Sequence, residues 1–130
     1  MSPVIEKFLR YVKVDTESKS EQEAFPSTEK QKDLARLLVE ELKAMGAENP
    51  HMDSYGYVYT AVPATVESAG PVIGFIAHMD TSEAVSGKNV NPRIVESYDG
   101  TDIVLNSAEN ILLRPDEFPD LLHYVGQDLI

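Results

Sequence analysis

Val72-Ile73-Gly74-Phe75-Ile76-Ala77 is an unbroken apolar run. Its length suits a strand, and its lack of polar alternation predicts one covered on both faces. Such a strand needs layers on either side, and the residues before it supply helices. Ser2-Pro3 places a capping residue ahead of a proline, a common helix opening. Val4, Ile5, Phe8, Leu9 and Val12 then recur at helical spacing, which predicts a helix over 3–13. Thr28 and Gln31 form a capping-box pattern ahead of a second helix. Its stripe is Leu34, Leu37, Leu38, Leu42 and Met45, and Gly46 stands where a C-terminal cap belongs. Lys32, Arg36, Glu40 and Lys43 read as its solvated face. Helices before the buried run and loops after it predict an α/β layered domain.

The connecting stretches fill in around that frame. The polar segment 15–26 reads as a surface loop. Residues 51–54 and 58–62 read as strands joined through Tyr55-Gly56, and 66–71 as a loop. Beyond Ser82 the chain is irregular. Ile94-Val95 and Ile103-Val104-Leu105 are short strand candidates on either side of the Asp99-Gly100 turn. Residues 115–124 predict a short helix with Phe118, Leu121 and Leu122 on its apolar side. Gln127-Asp128-Leu129-Ile130 reads as the opening of another strand, with no turn or polar tail behind it. A truncated chain, the N-terminal portion of a larger domain, is the expectation. There is no internal repeat.

Composition narrows the function classes. The chain has 130 residues, 42% hydrophobic and 25% charged, an ordinary globular balance. With 22 acidic and 11 basic residues its formal charge is −11. That field repels nucleic acid and anionic membrane surfaces. There is no cysteine, so disulfides, thiolate metal sites and a cysteine nucleophile are excluded. No apolar run is long enough to span a bilayer. The stretch 1–9 mixes acid and base without a long apolar core, so it does not read as a signal peptide. The cytoplasm is the expected compartment.

Gly-x-Ser-x-Gly, the phosphate-binding P-loop, Gly-x-Gly-x-x-Gly and His-Glu-x-x-His are all missing from the sequence. One constellation stands out. Ala77-His78-Met79-Asp80-Thr81-Ser82 follows the apolar run directly. Residues at i and i+2 of a strand share a face, so His78 and Asp80 are expected to project together where ligands bind open α/β sheets. Imidazole is a good zinc ligand, and a carboxylate on its other ring nitrogen fixes the tautomer. The same pair also reads as a histidine hydrogen-bonded to an aspartate at a loop start, and two residues do not complete a zinc site. His51 and His123 have no matching spacing and read as structural or exposed. Asp99 with Asp102, and Asp116 with Glu117 and Asp120, suit turns and a helix start rather than a catalytic pair. Tyr55, Tyr57 and Tyr59 alternate as one packed strand face.

The segments 74–82 and Ser86-Gly87-Lys88-Asn89-Val90-Asn91-Pro92 resemble the di-zinc aminopeptidase and carboxypeptidase family, and within it the tripeptide aminopeptidases. Phe8-Leu9-Arg10-Tyr11-Val12 with Asp15-Thr16, Pro26-Ser27-Thr28-Glu29 and Gly126-Gln127-Asp128-Leu129-Ile130 support the likeness in the same order. The resemblance implies a cytoplasmic zinc metalloprotease that removes the N-terminal residue from tripeptides. It implies a layered α/β catalytic domain holding two zinc ions, a smaller lid domain, and a homodimeric full-length protein. It gives His78 the role of metal ligand and Asp80 that of an active-site residue holding the imidazole. The remaining ligands, the general-base glutamate and the lid then lie beyond Ile130, and residues 1–130 are the N-terminal part of the catalytic domain. A chain ending there is expected to be inactive alone. The alternative, on charge and fold class, is a non-enzymatic acidic α/β interaction module.

Overall fold

Apolar residues at helical spacing form both expected helices in the computed structural model, which describes residues 2–67 and 70–130. The loop expected over 66–71 includes Ser68 and Ala69, which lie outside the described residues. The first helix, α1, spans Pro3–Tyr11, with proline in its first turn and Arg10 in its last. It ends two residues earlier than the spacing suggested. The second, α2, spans Gln31–Ala44 and buries Leu34, Ala35 and Val39. Among the described residues no helix is long and apolar enough to cross a membrane.

The two ends of α2 differ from each other. At the C-terminus, the Gly46 N–H donates to the Lys43 carbonyl and the Ala47 N–H to the Leu42 carbonyl, both at 3.0 Å. This double closure needs a left-handed residue, and Gly46 supplies it at φ +76°. At the N-terminus the expected capping box does not form. Lys30 occupies the cap position without a side-chain cap bond. The Thr28 hydroxyl donates instead to the Glu17 carbonyl at 2.7 Å, and the Gln31 amide donates to Thr28 Oγ1 at 3.1 Å. A tertiary acceptor has taken the capping hydroxyl. Met45, expected on the buried stripe, is exposed, because it sits past the last turn.

Glu41 of α2 ties the helices together, accepting from the Tyr11 hydroxyl, pairing with Arg10, and lying 3.4 Å from Lys7. The buried side of α2 lies against a hairpin of β1 (Glu48–Met52) and β2 (Val58–Ala61). Register pairs His51 with Tyr59 and Met52 with Val58, and it slips between Glu48 and His51. Asn49 absorbs the slip at φ +46°. The strand therefore begins before the residues whose composition suggested it. Between the strands, Asp53 Oδ1 accepts the N–H groups of Tyr55 and Tyr57, both at 2.9 Å.

The run 72–77 corrects the sequence reading. It forms no strand, and Val72, Phe75 and Ile76 are 99%, 95% and 100% exposed. Coverage on both faces requires a pairing partner at each edge and packed layers above and below. Among the described residues nothing pairs with this run, and α2 has buried its stripe on the hairpin instead. The described architecture is a small α/β arrangement with two separate two-stranded antiparallel sheets.

Those elements fall into two compact units, the first ending at Asn91 and the second running Pro92–Ile130. In the second, β3 (Ile103–Asn106) pairs with β4 (Ile111–Leu113), a strand without a clear signal in the sequence. Asn106 Oδ1 accepts the Ala108 and Glu109 N–H groups and turns the chain between them. Val95 bridges Leu129, so the expected strands at 94–95 and 127–130 meet at one residue pair. The expected helix over 115–124 is a 3-10 helix over Pro119–Tyr124. Phe118 and Leu122 of its apolar side are exposed.

Tyr98 organises this unit. It is buried, its hydroxyl donates to the Thr101 carbonyl at 2.8 Å, and its backbone bonds Gln127 and Gly126. Burial, with Asp99 and Asp102 nearby, raises the phenol above its ordinary value near 10. The folded state therefore favours the neutral phenol. Its contribution is complete below the ordinary tyrosine value and is lost as pH rises from there through the raised one.

Two outcomes are expected. Leu34→Ala should lower stability by about 2–5 kcal/mol in urea unfolding, since it leaves a cavity on the buried face of α2. Tyr98→Phe should flatten the loss of stability above about pH 10, and an unchanged alkaline limb would count against burial of the phenol.

Candidate functional site

His78 lies in an irregular, exposed segment rather than at a sheet edge, because the run before it is not a strand. Its side chain is 86% exposed, and that of Asp80 is 44% exposed. The expected meeting of residues i and i+2 nevertheless occurs. His78 Nδ1 lies 3.0 Å from the Asp80 carbonyl oxygen and 3.1 Å from Asp80 Oδ1. A peptide carbonyl and an ionised carboxylate can only accept. Nδ1 therefore carries the proton, and the lone pair of the neutral ring sits on Nε2. That nitrogen makes no hydrogen bond among the described residues. A neutral imidazole fixed in this tautomer, with Nε2 free, is the form that ligates metals.

The other sequence candidates do not join it. His51 Nδ1 faces the Asn49 carbonyl at 2.9 Å, and its ring stacks on its cross-strand partner Tyr59 at 5.5 Å. His123 is exposed, with Nδ1 3.8 Å from Asp120. Tyr57 and Tyr59 come within 6.4 Å, but Tyr55, Tyr57 and Tyr59 are all exposed, so the expected packed face is open. The acidic clusters behave as turn chemistry. Asp99 accepts the Thr101 N–H at 3.0 Å and its hydroxyl at 2.7 Å, and these bonds hold its carboxyl below the usual range. Glu117 pairs with Arg114 at 3.2 Å. Among the described residues no group of three or more histidine, aspartate or glutamate side chains is placed to hold a metal. The residues present fit one imidazole ligand and its brace, and no more.

A group the sequence did not signal lies beside the pair. Thr81 follows Asp80 and forms a parallel bridge with Glu17. Lys30 Nζ lies 2.8 Å from Asp15 Oδ1 and 3.8 Å from Glu17 Oε1. Its bond holds the Asp15 carboxyl below the ordinary range. Glu17 Oε2 accepts the Gly87 N–H at 3.1 Å. Ser20 donates its hydroxyl and its N–H to Glu83, whose carboxyl is lowered chiefly by the hydroxyl. A side chain at Gly87 would begin 3.0 Å from Asp15 Oδ1, so glycine is what permits the close approach. No local pattern links residues 15–20 to residues 81–87, and only the fold brings them together.

No family model matches the sequence. Over its whole length, however, the chain is 56% identical to a peptidase T of Halothermothrix orenii and 54% identical to one of Alkaliphilus oremlandii. It is 51% identical to a peptidase T of Clostridium botulinum. In each case the match takes in 100% of this chain and 32% of the relative. This chain is a homologue of the N-terminal third of peptidase T. It spans about a third of the length of the curated relatives it matches. The match to peptidase T runs the length of both units, positions 78 and 80 within its span. It agrees with the likeness carried by residues 74–82 and 86–92.

The tautomer is directly measurable. In nitrogen-15 NMR of the neutral ring, His78 should be protonated at Nδ1, and Asp80→Ala should shift the population toward Nε2–H. A wild-type ring protonated mainly at Nε2 would contradict the geometry.

Proposed function

We propose that the full-length protein is a metal-dependent aminopeptidase, a hydrolase that releases the N-terminal residue from tripeptides. The observation that carries this reading is the match of the entire chain to proteins named peptidase T at 51–56% identity. Residues 1–130 are then the N-terminal part of its catalytic α/β domain. His78 is a metal ligand through Nε2, and Asp80 is the active-site residue that braces it. By holding the proton on Nδ1, Asp80 keeps the Nε2 lone pair available and the ring in one orientation. Zinc, as a pair of ions, would supply Lewis acidity toward a scissile carbonyl. The other ligands, the general base and the lid belong to residues beyond Ile130.

The exposed run 72–77 supports the layered reading of the domain. Six consecutive exposed residues without a polar side chain, three of them at or near full exposure, are poorly suited to a solvent surface. Downstream segments that pair with both edges would make the run the covered strand its composition describes. The proposed setting is the cytoplasm and, on the resemblance alone, the assembly is a homodimer. The net charge of −11 argues against nucleic-acid partners. None of these observations favours a non-enzymatic interaction module.

Purified full-length protein loaded with zinc should release the N-terminal residue from a tripeptide such as trialanine, and chelation should abolish turnover. Asp80→Asn should lower metal affinity or turnover about 10–100-fold, as removing a ligand's brace does elsewhere. His78→Ala should cost more. The 130-residue chain alone should show no turnover. Turnover by the full-length protein that survives both chelation and His78→Ala would overturn the reading.

A further inference from the structure

The peptide group joining Asp80 to Thr81 is bonded at both ends. Its carbonyl is one of the two acceptors of His78 Nδ1, at 3.0 Å. Its N–H donates to the Thr16 carbonyl at 3.2 Å. A peptide group is planar and rigid, so fixing the N–H direction fixes the carbonyl direction. The next carbonyl, that of Thr81, accepts from both the N–H and the hydroxyl of Ser18, each at 2.9 Å. Thr16, which provides the acceptor, is only 3% exposed. Residues 15–18 thus form a strap across the back of the His78-Asp80 segment.

The strap is in turn fastened to α2. Lys30 at the helix cap reaches both Asp15 oxygens, at 2.8 and 3.0 Å. Asp15 Oδ1 accepts the Glu17 N–H at 3.1 Å, and the Glu17 carbonyl accepts the Thr28 hydroxyl at 2.7 Å. Glu17 also holds the returning loop through the Gly87 N–H. One cation at the end of a packed helix therefore pairs with Asp15, lies near Glu17, and ties the strap to the helix. The chain of contacts runs from Lys30 to Asp15 and Glu17, to the Thr16 carbonyl, to the Asp80–Thr81 peptide, to the imidazole.

We infer that Lys30, acting through the strap of residues 15–18, is a positioning residue for His78. It touches neither the ring nor a reacting group. Its effect is to hold the peptide that orients the ring. The inference rests on the reading of His78 as a metal ligand.

The test uses the full-length protein and compares wild type with Lys30→Met, Lys30→Arg and Lys43→Met. The last removes an exposed pair with Glu40 on the same helix. Three readouts are taken: hydrogen exchange of the Thr81 amide, zinc affinity by titration, and kcat/KM on a tripeptide. Lys30→Met should speed Thr81 exchange and weaken zinc binding about tenfold, in the range expected for a residue that braces a ligand. Lys30→Arg should restore most of both, and Lys43→Met should change neither. Wild-type amide protection and zinc affinity in Lys30→Met would overturn the inference. Should Lys30→Met fail to fold, Ser18→Ala decides on the same readouts, since it removes one hydroxyl donor to the Thr81 carbonyl and no charge. Asp15→Asn is read beside it, because it removes the charge that Lys30 holds, and wild-type values in Asp15→Asn would equally overturn the inference. If His78→Ala binds zinc as wild type does, the functional reading fails instead. The Thr81 exchange result still reports separately on the strap.

Discussion

The hydrogen bond from the Thr81 N–H to the Thr16 carbonyl joins two parts of the chain more than sixty residues apart. The candidate site depends on it. The apolar run before His78 is unpaired among the described residues, so this bond and those of Ser18, Ser20 and Glu17 to residues 81–87 are what hold the segment. With it, and with the two Ser18 bonds beside it, the backbone at Asp80 and Thr81 has a set direction. A threonine carbonyl buried among polar neighbours is a stronger anchor than one in water, because the partner it loses on breaking is not readily replaced by solvent. The ring of His78 inherits that direction through a single residue.

The helices were legible because their signal is local. A stripe of apolar residues at a 3.6-residue period, closed by Gly46, specifies α2 without reference to anything else in the chain. The hairpin was legible in its second strand and turn, and less so in its first, which the sequence places at 51–54 but which spans Glu48–Met52 with Asn49 in a bulge. β4 was missed because its three residues acquire strand geometry only by pairing with β3. The run 72–77 misled for a related reason. An apolar composition says what a strand there would need, and nothing among the described residues supplies the pairing or the covering layers.

The site divides in the same way. His78 and Asp80 were readable because a two-residue spacing brings their side chains together even in an irregular segment. Lys30 draws no reading from the sequence, and Asp15 and Glu17 lie in the segment 15–26 that reads as a surface loop. Their arrangement depends on which loop returns to meet them, and that is a property of the fold. Thr28 was assigned to the helix cap by pattern, yet its hydroxyl serves the strap. Two structures competed for one donor, and the tertiary contact took it.

The bare ribbon at 72–77 has a consequence during synthesis. Domains form progressively as the chain leaves the ribosome, at roughly 5–20 residues per second. On the proposed domain reading, whatever covers Phe75 and Ile76 is translated later. In relatives about three times as long as this chain, translation of the remainder takes on the order of tens of seconds. For that interval the nascent polypeptide carries an adhesive stretch near its leading end. Chaperones that hold emerging chains would find a ready binding segment there, and the yield of finished protein would depend on them.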